Sequence, residues 1–105
     1  MVRIPTHKPP THPGEMLLLE FLRPMKLSQH RLADEIRLPY RAIHELVHGR
    51  RSVTPGMALR LGILFGNTPD FWLNLQLRWD LWHALRDEAA DLDGIRPLRS
   101  SASAA

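Results

Sequence analysis

Apolar positions along this chain recur at intervals of three and four residues and nowhere alternate in the manner of a strand. Leu32, Ala33 and Ile36 make one such stripe, opened by Ser28, a strong helix N-cap. Ala33 is small enough to let a second helix approach closely. Ile43 and Leu46 make the next stripe, closed by Gly49, which tolerates the left-handed conformation of a helix end. Pro39 suits the first position of that second helix, where a missing N–H goes unused. Upstream, Pro13-Gly14 opens a helix that runs to Leu22 and is expected to stop at Pro24. Downstream, Thr54-Pro55 opens another that ends at Gly66, and Gly62 inside it predicts a close contact with another helix, since glycine there costs about 1 kcal/mol against alanine. Thr68-Pro69 repeats the start signal for a fifth helix reaching about Ala90. The pattern predicts an all-α fold of five helices over 12–92, an extended arm over 1–11 and a flexible tail over 93–105.

The second and third helices, joined by a tight turn, leave Tyr40, Arg41, His44, Glu45 and His48 on the outer face. A helix pinned by a first helix and presenting polar and planar groups has the form of a helix-turn-helix, whose second helix enters the major groove.

The fifth helix is apolar on two sides. At about 100° per residue, Phe71, Trp72, Leu75, Trp79 and Trp82 share one side, and Leu73, Leu77, Leu81 and Ala84 form another strip. Gln76, Asp80, His83 and Asp87 fall between them. Four short helices cover one side only, which predicts a homodimer with the tryptophan-bearing side at its interface. The alternative is that all three tryptophans belong to the protomer's own core.

Composition narrows the classes. A chain of 105 residues makes one domain. It has no cysteine, which excludes disulfides and thiol chemistry. No window resembles a membrane span or the apolar core of a signal peptide, which points to the cytoplasm and to no membrane partner. The net charge of +3 is unevenly spread. Lys26 to Arg60 carries seven basic residues against three acids, whereas Pro69 to Asp93 carries six acids against two arginines. The basic part coincides with the two-helix motif, as a phosphate-facing surface requires. The acidic run Asp87 to Asp93 lies at a helix C-terminus, where the macrodipole disfavours it, and is a candidate docking surface for a basic protein.

Several motifs in order resemble the HigA family of antitoxins, a branch of the phage-repressor-like helix-turn-helix proteins. They are His12-Pro13-Gly14-Glu15, Leu27-Ser28-Gln29 with Leu32-Ala33, Gly49-Arg50-Arg51, Ala58-Leu59-Arg60-Leu61 and Pro69-Asp70-Phe71-Trp72-Leu73-Asn74-Leu75-Gln76. The family pattern has glycine where this chain has Arg37, and a side chain at positive φ is strained. The resemblance implies a lambda-repressor-like domain with a long C-terminal dimerisation helix. It also implies neutralisation of a small mRNA-cleaving toxin of the RelE-like (HigB) class, and repression of the protein's own operon through a palindromic operator.

On that reading the roles divide by chemistry. Ser28 and Gln29 would donate to phosphate together with free helix amides, with Pro39 beside the backbone and Arg50 and Arg51 gripping the flanks. Tyr40, Arg41, His44 and Glu45 would face base edges. The guanidinium fork of Arg41 matches the two acceptors of guanine, although a plain phosphate contact is the simpler role. Glu45 would accept from cytosine or orient Arg41. A dimer would set its two reading helices about 34 Å apart. A helix-turn-helix regulator with no toxin is the second reading. The third comes from His44-Glu45-Leu46-Val47-His48, which spells the zinc-peptidase pattern H-E-x-x-H. Position 54, where the extended motif would carry another histidine, is threonine, and the pattern coincides with the groove-facing side. The expectation is therefore no enzyme, no metal and no cofactor.

Overall fold

The computed structural model describes residues 8–98. Most of the expected arm and tail, at 1–7 and 99–105, lies outside the described residues. Residues 8–12 lead without regular structure into α1, which combines an α-helical start (Pro13–Leu17), a π-helical turn (Leu18–Leu22) and a last turn (Arg23–Met25). Pro24 therefore does not stop this helix. A proline ring normally clashes with the carbonyl four residues back. Here the Arg23 N–H bonds to Leu18 O, five residues back, and the widened turn accommodates the ring. The helix ends at Lys26, which is left-handed with φ 53°, as the Leu27 N–H returns to Leu22 O at 2.9 Å.

α2 (Gln29–Ile36) and α3 (Tyr40–Val47) form the helix-turn-helix. Ser28 Oγ accepts from the Arg31 N–H at 3.0 Å, the expected cap. Arg37 closes α2 in the left-handed region with φ 59°, the strained residue foreseen in place of glycine. The guanidinium of Arg60 donates to Ile36 O at 2.7 Å and supplies the cation favoured at a helix C-terminus. Pro39 is the N-cap of α3 rather than its first residue. Its ψ of 143° is extended, and its carbonyl already accepts from the Ala42 N–H at 3.0 Å. Gly49, with φ 73°, ends α3 through bonds from its own N–H to Leu46 O and from the Arg50 N–H to Glu45 O.

α4 (Pro55–Phe65) is capped by Thr54, and α5 (Pro69–Asp87) by Thr68. A Cβ at Gly62 would stand 3.0 Å from Asn67 O and 3.3 Å from Pro69 N, so the close approach is to the backbone of the α4–α5 turn, not to the side of a packed helix as expected. The fifth helix does not reach Ala90. It breaks at Glu88, and a short α6 (Ala89–Asp93) follows. The break puts Asp91 in the first turn of a new helix, where the dipole favours a carboxylate, instead of at the end of the old one.

Leu17, Leu32, Ile43, Leu46, Leu61 and Trp72 are fully buried, and burial of each such side chain contributes about 1.5–3 kcal/mol. This core corrects the reading of α5. Trp72 is wholly inside the protomer, its indole N–H donating to Asn67 Oδ1 at 2.9 Å, and Leu75 is buried beside it. Phe71 is half-buried against Phe21 and Trp72. Trp72 and Leu75 thus have no surface to offer a second subunit, because the face assigned to the dimer is where α5 meets α1 and α4. Trp79 and Trp82 are half-buried. On the second strip Leu77 is exposed while Leu73, Leu81 and Ala84 are half-buried, and Leu85 is exposed outside either strip. Among the described residues, no helix is long and apolar enough to cross a membrane.

Candidate nucleic-acid interface

The outer face of α3 is organised by two side-chain systems. The first is a carboxylate hub. Glu45 Oε2 accepts from Arg41 Nε at 3.0 Å, and Glu45 Oε1 accepts from Arg51 Nη2 at 2.7 Å and Nε at 3.1 Å. Hydrogen bonds from Arg51 and then Arg41 hold the Glu45 carboxyl below its ordinary range. Arg51 is reached across the α3 C-terminus because the Gly49 turn folds the chain back. Farther along the same loop, the buried Val53 N–H donates to Gln76 Oε1 at 2.9 Å, and Gln76 Nε2 in turn donates to Asp80 Oδ1 at 2.9 Å.

The second system is a column of rings. His30 on α2 stacks on Tyr40 with centroids 3.8 Å apart and planes 9° from parallel. Tyr40 Oη lies 3.2 Å from His44 Nδ1, and the His44 and His48 rings follow at 4.2 Å. His48 Nδ1 donates to His44 O at 2.8 Å.

The structure brings Tyr40, Arg41, His44 and Glu45 onto one exposed face, as the helical spacing predicts. Both Glu45 oxygens accept from arginines, Oε2 from Arg41 and Oε1 from Arg51. Arg51 is bound to that carboxylate instead of standing free. Arg50 is exposed and, among the described residues, forms no ion pair. At the start of α2, Ser28 spends an acceptor lone pair on its cap and keeps its hydroxyl proton for another partner. Gln29 is half-buried, and its Oε1 has no protein partner. Pro39 has neither N–H nor polar side chain, so it shapes the start of α3 and the wall of a groove shared with Arg41, Arg51 and Arg60. A peptidase-like Glu45 would have to be a free base, which two guanidiniums preclude. No cluster of three or more metal-ligating side chains occurs among the described residues.

Two residues outside the predicted site position this face, and one of them, His12, opens the first family motif. Gln76 falls in the polar stripe between the two apolar strips of α5, and it is buried and ties the loop carrying Arg50 and Arg51 to α5. Its position between two apolar strips was the available signal. His12 is also buried. Its Nδ1 accepts from the Gly14 N–H at 2.9 Å, and its ring meets Trp79 edge-on at 4.8 Å. Burial lowers its pKa below 6.5, opposed by the nearby Asp80 and Glu15 carboxylates.

No family model matches the chain. Individual proteins do. A helix-turn-helix transcriptional regulator of Escherichia coli, YbaQ, is 42% identical over 73 residues; the match spans 70% of this chain and 65% of that protein, just under two thirds. Antitoxin HigA-1 of Vibrio cholerae is 34% identical over 93 residues, 89% of this chain and 88% of the relative. Among solved structures, the Pseudomonas aeruginosa antitoxin HigA with the higBA promoter superposes with a TM-score of 0.81 at 33% identity, covering 86% of this chain and 99% of that one. Near-complete coverage of these two proteins, in fold and in sequence, places the chain in the HigA family of antitoxins.

Proposed function

We propose that this protein is a DNA-binding antitoxin: as a dimer it represses its own operon at a palindromic operator, and it neutralises a RelE-like mRNA-cleaving toxin of the HigB type, acting in the cytoplasm. The observation that carries the DNA half is the exposed face of α3, where Tyr40, Arg41 and His44 are held in place by neighbouring side chains. The likeness to a HigA structure containing the higBA promoter supports it. Exposed Leu77 and Leu85, with the half-buried Trp79 and Trp82, leave α5 apolar surface for pairing two copies.

In binding, Arg41 leaves or shares Glu45 to reach a base, while Arg50 and the α2 N-terminus fix the register on phosphates. Fluorescence anisotropy on a duplex from upstream of the gene, with a scrambled duplex as reference, tests the division. Arg41→Ala is expected to cost about 1–3 kcal/mol on the operator and to relax specificity, while Arg50→Ala weakens both duplexes alike. Equal losses from both substitutions on both duplexes would refute it. For the toxin half, the exposed carboxylates Asp87, Glu88 and Asp91 suit a basic partner. Replacing them with Asn, Gln and Asn should weaken the complex with a basic RelE-like protein encoded beside this gene. The likeness to YbaQ favours a second reading, a regulator without a toxin, which absence of such a neighbour would select.

A further inference from the structure

The operator reading leaves His30 without a role, since it lies on α2 and outside the helix assigned to base edges. Its ring nevertheless makes the closest and most nearly parallel aromatic contact in the described structure, 3.8 Å and 9° from Tyr40. On the other side, the Tyr40 hydroxyl is engaged by His44 Nδ1 at 3.2 Å. A tyrosine clamped in this way has lost its rotamer freedom before any ligand arrives. With His30 stacked on the ring, the His44 ring stacked beside it at 5.5 Å and 29°, and the hydroxyl on His44, the part of Tyr40 left for a ligand is the carbon edge of its ring. The group in a major groove that such an edge recognises is the 5-methyl of thymine, because contact removes apolar surface of both from water.

We propose that His30 is a positioning residue which, with His44, locks Tyr40 as an apolar reader of a thymine methyl group in each operator half-site. The proposal rests on the operator reading above. Tyr40 then contributes discrimination without donating a hydrogen bond to a base, and the immobilisation cost of its side chain is met in the free protein rather than on binding. The neighbouring charges, Arg31 with Glu35 on α2 and Arg41 with Glu45 on α3, are paired internally and leave the stack to set the ring's position.

The test is an anisotropy series on the operator duplex at pH 8, with each thymine replaced singly by deoxyuridine, which removes only the methyl. Wild-type protein should lose affinity about 3- to 10-fold at one or two thymines per half-site, the scale of one buried methyl or slightly more. Tyr40→Ala should be indifferent to those replacements. His30→Ala should shrink the methyl preference below about 2-fold while leaving the melting temperature unchanged, since the ring is exposed. His30→Phe, which keeps a flat ring for the stack, should restore the preference, and His30→Gln should not. Full methyl preference in His30→Ala, or multiplicative losses in the His30→Ala, Tyr40→Ala double variant, would overturn the proposal while leaving operator binding intact. Wild-type protein that does not distinguish operator from scrambled duplex would take the operator reading down with it.

Discussion

Gly14 is where α1 crosses the reading helix, and it allows no side chain at all. A Cβ built there would stand 1.8 Å from Leu46 O, 2.6 Å from Leu46 C and 3.0 Å from Val47 Cα. Ordinary contact begins at 3.4 Å, so Gly14→Ala requires the two helices to part by about 1.6 Å. All three obstructing atoms are backbone, and no rotamer change relieves them. Overpacking a core typically costs about 1–3 kcal/mol, and a clash that must move a helix axis belongs at or beyond the upper end. Against this, alanine gains up to about 1 kcal/mol in helix propensity, leaving a net loss of roughly 2–3 kcal/mol. For a domain of this size that lowers the melting temperature by on the order of 10–20 °C. Gly56→Ala is the matched control. It sits in the first turn of α4, its nearest neighbour would be Thr54 Oγ1 at 4.0 Å, and its stability should be unchanged or rise by up to about 1 kcal/mol. Chemical denaturation of the two variants reads the difference directly. A Gly14→Ala protein within about 0.5 kcal/mol of wild type would show that α1 and α3 do not meet as described.

Three further outcomes follow from the packing around this face. Gln76→Leu should cost about 1–3 kcal/mol in denaturant unfolding, because it leaves the buried Val53 N–H without an acceptor; an unchanged midpoint would mean that water replaces the amide. Arg37→Gly should stabilise the fold by about 0.5–1 kcal/mol, the relief of a left-handed side chain less the extra entropy glycine loses on folding, and a lower melting temperature would contradict the strain. His12 is favoured neutral in the fold, so its contribution is present above pH 6.5 and is lost as the pH falls through its lowered folded pKa. His12→Asn, which caps α1 without titrating, should flatten the fall in melting temperature between pH 7 and pH 5, and an equal fall in both proteins would refute the assignment.

The helix starts were legible because each rests on chemistry within one turn: Ser28, Thr54 and Thr68 cap the helices they were expected to cap. So was the outer face of α3, whose side chains follow from spacing alone. Features that depend on distant partners were not legible. Pro24 reads as a stop in any local rule, and only the π-helical turn before it shows otherwise. The tryptophan side of α5 was read as an interface although Trp72 belongs to the core, since periodicity reports that a face is apolar and is silent on what covers it. The pairing of Arg51 with Glu45 depends on the sharp reversal at Gly49, which brings together residues six apart that no helical wheel makes neighbours.

The arrangement couples α5 to the reading face through contacts that do not involve α3's own outward side chains. Gln76 holds the loop that follows α3, and Trp79 packs on His12, whose ring caps the helix that Gly14 seats against Leu46. A load on α5, whether from a second copy or from another protein, therefore reaches the C-terminal end of the reading helix by two routes: the loop that follows it through Gln76 and its last turn through α1. Direct coverage of α3 is not required for such a load to alter operator affinity. If pairing through α5 sets the reading helix, Leu77→Glu and Leu85→Glu should weaken operator binding even when measured per subunit. If α5 only ties two independent heads together, those variants should lose avidity alone, and a half-site duplex should bind them as it binds the wild type.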